Sequence, residues 1–134
     1  VDVLVGFPGE SESDFLDTYH YLSELPVSYF HVFTYSEREN TEAFKYGDIV
    51  PLKTRSKRSK MLRILSEKKR RHFYNEQLGQ KRPVLFESIK EGYLIGHTDN
   101  YVKVKLKDKS KIINTIQHVN LLKIENAEVF AEIA

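Results

Sequence analysis

The sequence predicts an α/β segment followed by an all-β one: a strand–helix–strand unit, a long basic helix, then a small five-stranded antiparallel barrel. Three observations carry this. The apolar run Val1-Asp2-Val3-Leu4-Val5 stops at a Gly-Phe-Pro-Gly turn and gives way to a helix-start signal. A cation-rich stretch with a partial helical stripe occupies the middle of the chain. Beyond Gly79 the apolar period changes from helical to two. Domain boundaries follow at 1–52, 53–79 and 80–134.

The first strand has only Asp2 between Val1, Val3, Leu4 and Val5, a pattern suited to burial on both faces of a parallel sheet. It starts without an initiator Met, a leader or a cap, so the chain reads as the interior of a longer protein, with preceding parts of the same polypeptide missing. Ser11-Glu12-Ser13-Asp14 opens a helix over 13–24, with Phe15, Tyr19, Leu22 and Leu25 on one side and Pro26 as its stop. Residues 29–35, aromatic and β-branched, form the next strand, completing a right-handed βαβ unit. A polar connection over 36–51 has one helical turn near 41–46. Thr54 then caps a long helix striped by Met61, Leu62, Leu65 and Phe73 and ended by Gly79.

The last third reads as strands over 83–87, 92–97, 101–107, 119–124 and 128–133, divided by Glu91-Gly92, Asp99-Asn100 and Glu125-Asn126 turns. Residues 101–107 alternate without a fault. Val102, Val104 and Leu106 point inward, and Tyr101, Lys103, Lys105 and Lys107 outward. A small barrel with lysines and a tyrosine on one outer face has the physics of oligonucleotide binding: lysines hold phosphates and a ring stacks on a base.

Composition narrows the chemistry. The 134 residues contain no cysteine, which excludes disulfides, thiolate zinc sites, cysteine nucleophiles and iron–sulfur ligation by this stretch. Five histidines show no HxH or HExxH spacing, so no metal site is expected. No apolar run approaches the ~20 residues of a membrane span, which points to a cytoplasmic address and no membrane partner. The net charge of +2 hides a division: ten acids and two bases in 1–50, twelve bases and two acids in 51–82, seven of each in 83–134. A solvated helix face is the bland explanation of the basic block. Mutual repulsion within it favours a polyanionic partner, most simply nucleic acid.

Two ordered motifs carry a family resemblance. Val5-Gly6-Phe7-Pro8-Gly9-Glu10-Ser11 with Asp14-Phe15, and the run from Leu25 through His31-Val32-Phe33-Thr34-Tyr35-Ser36-Glu37-Arg38, resemble the latter half of a radical S-adenosylmethionine methylthiotransferase. The final fifty residues, around Gly96-His97-Thr98-Asp99-Asn100-Tyr101-Val102-Lys103-Val104, resemble the TRAM domain that closes these enzymes. The wording is most similar to the branch acting on threonylcarbamoyladenosine beside the tRNA anticodon. Where the family often has Tyr-Ser-x-Arg-Pro-Gly-Thr-x-Ala, this chain carries Glu39-Asn40 in place of Pro-Gly.

The resemblance implies that residues 1–52 are part of a TIM-like radical barrel and that 80–134 is an RNA-binding TRAM barrel. It implies S-adenosylmethionine and two 4Fe–4S clusters in the full-length family, none held by cysteines of this chain, and a complete enzyme of which this stretch alone is inactive. The cofactor-binding positions it implies are Gly6, Phe7, Pro8, Gly9, Glu10, Phe33, Tyr35 and Arg38; no catalytic residue is assigned here. A tRNA anticodon stem-loop would meet Lys57, Arg58, Lys68, Lys69, Arg70, Arg71, Lys81, Arg82, Tyr101, Lys103 and Lys105. Without the motif string, Gly6 and Gly9 serve only a strand-to-helix turn. A non-catalytic TRAM module, or a relative acting on isopentenyladenosine tRNA or a ribosomal protein, is the competing reading.

Overall fold

The computed structural model describes residues 1–107 and 113–134. The chain divides into two compact units, Val1–Arg70 and Arg71–Ala134, the division falling inside the long helix.

In the first unit, β1 (Asp2–Val5) and β2 (His31–Thr34) pair in parallel, Asp2 opposite His31 and Val5 opposite Thr34. Between them runs α1 (Glu12–Glu24). Its start is a reciprocal cap: Asp14 N–H donates to Ser11 Oγ and Ser11 N–H to the Asp14 carboxylate, each at 3.0 Å. Those bonds hold the Asp14 carboxyl below its ordinary pKa. After a 3₁₀ turn at Ala43–Lys45 comes α2 (Leu52–Gln77). The helix begins at Leu52, so Thr54 lies inside its first turn and is not the cap.

Val5, Phe15, Leu22, Phe30, Leu62 and Leu65 form this unit's core. Burying each such side chain contributes roughly 1.5–3 kcal/mol before cooperative packing is counted. The strands are not buried on both faces as their composition predicts. Val3, Val5 and Val32 turn toward the helices, whereas Leu4 is 51% and Phe33 54% exposed on the opposite face. A two-stranded sheet covered on one side leaves alternate residues bare.

In the second unit, β3 (Lys81–Lys90), β4 (Tyr93–Thr98), β5 (Lys103–Leu106), β6 (Thr115–Glu125) and β7 (Glu128–Ile133) close a barrel in the order β3-β4-β5-β7-β6. Four pairings are antiparallel, but β5 and β7 run parallel. The wholly antiparallel barrel of the sequence reading is therefore corrected, and the reason is parity. Directions cannot alternate around a closed ring of five, so one pairing must be parallel. Val84, Phe86, Leu94, Val102, Val104, Leu106, Val119, Leu121 and Val129 fill the interior, joined by Tyr74 from α2.

Gly79 does end the helix: at φ +83 its N–H donates to the Leu121 carbonyl at 2.8 Å. Val102, Val104 and Leu106 are buried as their alternation predicts. Tyr101, expected on the strand, instead sits in the turn before β5 at φ +67. Thr98 organises that turn, its carbonyl taking the Tyr101 N–H at 3.1 Å and its hydroxyl the Val102 N–H at 2.9 Å. No helix among the described residues is long and apolar enough to cross a membrane.

Candidate functional site

The turn after β1 is built by two residues that only glycine fits well. Glu10 N–H donates to the Phe7 carbonyl at 3.0 Å, closing a turn with Pro8 second and Gly9, at φ +88, third. That is the type II arrangement, which needs a left-handed third residue. Gly6 is left-handed too, at φ +84, and its N–H donates to Glu10 Oε1 at 3.1 Å. Gly9 N–H donates to the Asp48 carbonyl at 2.9 Å, tying the turn to the polar connection.

Two arginines from α2 hold this loop from within. Arg58 Nη1 donates to both the carbonyl and Oε1 of Glu10 at 2.9 Å, and Nη2 to Glu12 at 3.3 Å, with its side chain only 7% exposed. Its guanidinium lies 5.5 Å from the Phe15 ring centroid. Arg55 is still more enclosed. Its Nε donates to the Val50 carbonyl at 2.7 Å, and its Nη atoms reach the Tyr35 carbonyl and both oxygens of Glu37. The bidentate pair draws the Glu37 pKa down and pushes Arg55 up.

Around the loop, the Phe7 ring stands edge-on to Tyr35 at 5.4 Å and to Tyr46 at 6.1 Å. The Tyr35 hydroxyl is buried without a hydrogen-bond partner among the described residues. Phe33 and Arg38 are exposed, Arg38 in the turn that follows β2. There Asn40, at the position where the resembling family wording has glycine, takes the left-handed φ +64. Asn tolerates that region, and Thr41 Oγ1 closes the turn by donating to the Arg38 carbonyl at 2.7 Å.

The basic residues separate into two groups. Lys57, Lys68, Arg71, Lys81 and Lys103 are exposed and make no ion pair among the described residues. Others are engaged internally. Arg58 serves the loop. Lys69 Nζ donates to the Ser23 and Leu25 carbonyls at 3.2 and 2.9 Å, where α1 ends. Arg70 lies 4.4 Å from the Tyr29 ring centroid and pairs with Glu67 at 3.2 Å. Arg82 bonds Gln80, Gln77 and Asp99. Lys105 pairs with Glu128 at 2.7 Å, which raises its pKa.

Sequence reasoning passed over Arg55, Glu37 and Ser66. Ser66 is a hidden fastener, its hydroxyl donating to the Phe30 carbonyl at 2.6 Å and accepting the Phe30 N–H at 3.0 Å. No local pattern distinguishes Arg55 from the exposed cations beside it. A signal was available only in its position one helical turn before the stripe of Ser59 and Leu62, on the side facing the core.

No family model matches the chain. Individual proteins do. The threonylcarbamoyladenosine tRNA methylthiotransferase MtaB of Aquifex aeolicus is 38% identical over 118 residues, 86% of this chain and 28% of that protein. MtaB of Bacillus subtilis is 34% identical over 127 residues, 91% of this chain and 28% of that protein. The tRNA-2-methylthio-N(6)-dimethylallyladenosine synthase of Endomicrobium trichonymphae is 32% identical over 132 residues, 98% of this chain and 32% of that protein. The chain thus spans under a third of the length of these relatives.

Proposed function

The chain is homologous, over nearly all its length, to one stretch of the methylthiotransferases, and on that premise we propose that it is the C-terminal portion of a cytoplasmic tRNA methylthiotransferase that adds a 2-methylthio group to N6-threonylcarbamoyladenosine beside the anticodon. One observation carries the choice of substrate. The relatives from Aquifex aeolicus and Bacillus subtilis that bear the threonylcarbamoyladenosine name are 38% and 34% identical, against 32% for the dimethylallyladenosine synthase. In this reading residues 1–52 belong to the radical barrel, 53–79 link it onward, and 80–134 form a TRAM barrel that docks tRNA.

The residues at the β1 turn fit an adenosyl group in two respects. Among the described residues nothing lies within 4 Å of where a Gly9 Cβ would stand, and the buried Tyr35 hydroxyl has no hydrogen-bond partner. S-adenosylmethionine, when bound, supplies the radical chemistry and the methyl group. Phe7, Pro8 and Tyr35 would form an apolar wall for it, with Gly9 allowing close backbone approach. Gly6 and Glu10 act indirectly, since the Glu10 carboxylate already accepts from both the Gly6 N–H and the Arg58 guanidinium. Phe33 on β2 and Arg38 in the segment after it are both exposed.

On the RNA side, the exposed Lys57, Lys68, Arg71, Lys81 and Lys103 are free to meet phosphates, and Tyr101, 72% exposed, offers a stacking face. The zero cysteine count means that both iron–sulfur clusters of the complete enzyme would be held elsewhere in the polypeptide. Mass spectrometry of tRNA nucleosides from a strain lacking the full-length gene tests the reading. Loss of the 2-methylthio form of threonylcarbamoyladenosine is expected. Loss of the isopentenyladenosine counterpart instead, or an unaltered tRNA nucleoside profile, would overturn the substrate assignment.

A further inference from the structure

We infer that a groove between β2 and α2 is a phosphate site, seating one phosphodiester of the bound RNA; the inference rests on the RNA partner proposed above and uses residues outside that proposal. The groove has a volume of about 530 Å³ and is lined by Thr34, Ser56, Ser59, Lys60, Arg63, Ile64 and Glu67, Ile64 being its one apolar side chain. On α2 these residues recur at three- and four-residue intervals, so they share one face of the helix.

The donor set is that of an oxyanion site. Lys60 and Arg63 are exposed and make no ion pair among the described residues, unlike Arg55, Arg58 and Arg70 on the same helix. The acid in the lining, Glu67, is already paired with Arg70, which leaves the two cations in excess. Thr34, Ser56 and Ser59 add three hydroxyl-bearing side chains to the same lining. That of Ser59 is the informative one: the residue is 4% exposed and its Oγ has no hydrogen-bond partner among the described residues. A buried hydroxyl without a partner costs free energy unless a ligand supplies the missing bond. A phosphodiester oxygen would do so while its charge meets Lys60 and Arg63, the guanidinium offering a planar fork and the ammonium a point charge.

A site makes a demand that a diffuse basic surface does not: loss of an uncharged hydroxyl should matter. The test is binding of unfractionated tRNA to the full 134-residue chain at several salt concentrations. Lys60→Ala with Arg63→Ala should lower the log–log salt slope by about 0.7 per phosphate contact removed. Ser59→Ala should weaken binding roughly fivefold with an unchanged slope, the equivalent of one net hydrogen bond. Its thermal midpoint should equal or exceed the parent's, because the substitution removes an unpartnered buried group.

If tRNA binds the parent but both variants match it, the groove is no site, while the RNA reading stands. If the parent binds no tRNA, the RNA reading fails together with the phosphodiester assignment. Titration with inorganic tripolyphosphate, followed by amide shifts, then identifies the source of the phosphate chemistry. Shifts confined to Thr34, Ser56, Ser59, Lys60 and Arg63 would retain an oxyanion site for a free phosphate, and absence of shifts would overturn it altogether.

Discussion

A Cβ added at Gly6 would lie 2.6 Å from Cγ of Arg55, whereas one added at Gly9 would meet nothing within 4 Å. Both glycines are left-handed, so both alanine variants carry backbone strain, but only the first also displaces a side chain fixed by Glu37 and the Val50 carbonyl. Gly6→Ala should therefore destabilise the chain by about 2–3 kcal/mol and Gly9→Ala by about 1 kcal/mol. Denaturant midpoints decide this, and equal losses would remove Arg55 from the account of the loop. The Arg55 partner gives a second prediction. Because Glu37 is held below the usual carboxylate range by the Arg55 hydrogen bonds, its contribution is present in full above its unfolded pKa. The contribution is lost as pH falls through the lower folded value. Thermal midpoints of the parent should accordingly fall on acidification below about pH 5, and Glu37→Gln should start lower at neutral pH and fall less steeply. Parallel curves for the two proteins would sink this linkage.

At the level of elements, Gly96 shows how closely two strands can approach. It faces Phe86 on β3, beside the register shift between Phe86 and Ser88, and an added Cβ would stand 2.2 Å from the Leu85 carbonyl oxygen. Backbone cannot yield as a flexible side chain can, so Gly96→Ala should cost about 3 kcal/mol or more. Gly92→Ala, left-handed but in open space, should cost about 1 kcal/mol. Urea unfolding of both variants checks the contrast, and a mild Gly96→Ala would mean that β3 and β4 can separate locally. Elements were legible where their cause is local. The alternation of Val102, Val104 and Leu106, the Ser11 cap and the Gly79 stop all follow from neighbouring residues. Features set by distant partners were not. The parallel β5–β7 pairing comes from ring closure. The displacement of Tyr101 is local, set by Thr98 three residues before it, but the unbroken alternation of 101–107 conceals the turn that Thr98 closes. The candidate loop was legible as a motif, but its support was hidden. Arg58 and Lys69 look like surface cations until their acceptors, Glu10 and the end of α1, are brought alongside.

For the molecule as a whole, the division of charge along the sequence is not a division between inside and outside. Part of the basic block neutralises the acidic first fifty residues, through Arg55 with Glu37 and Arg58 with Glu10 and Glu12, part is engaged internally as Lys69, Arg70 and Arg82 are, and the exposed rest makes no ion pair among the described residues. The two units also differ in how their sheets end. Strands β1 and β2 are four residues each and, among the described residues, pair only with one another, so each carries an open edge. The five barrel strands each have two partners and leave no edge. Short two-stranded sheets are marginal by themselves, while closure removes the route by which strands fray. Opening of the first sheet should therefore require less free energy than opening of the barrel, even though Val5 and Val104 are equally buried. Native-state hydrogen exchange of the full chain measures this directly. The amides of Val84, Val104 and Val119 should exchange at least about tenfold more slowly than those that pair β1 with β2, a difference of about 1.4 kcal/mol in opening free energy. Equal protection in the two sets would show that α1 and α2 stabilise the open sheet as fully as closure stabilises the barrel, and that the exposed edges beside Leu4 and Phe33 carry no cost.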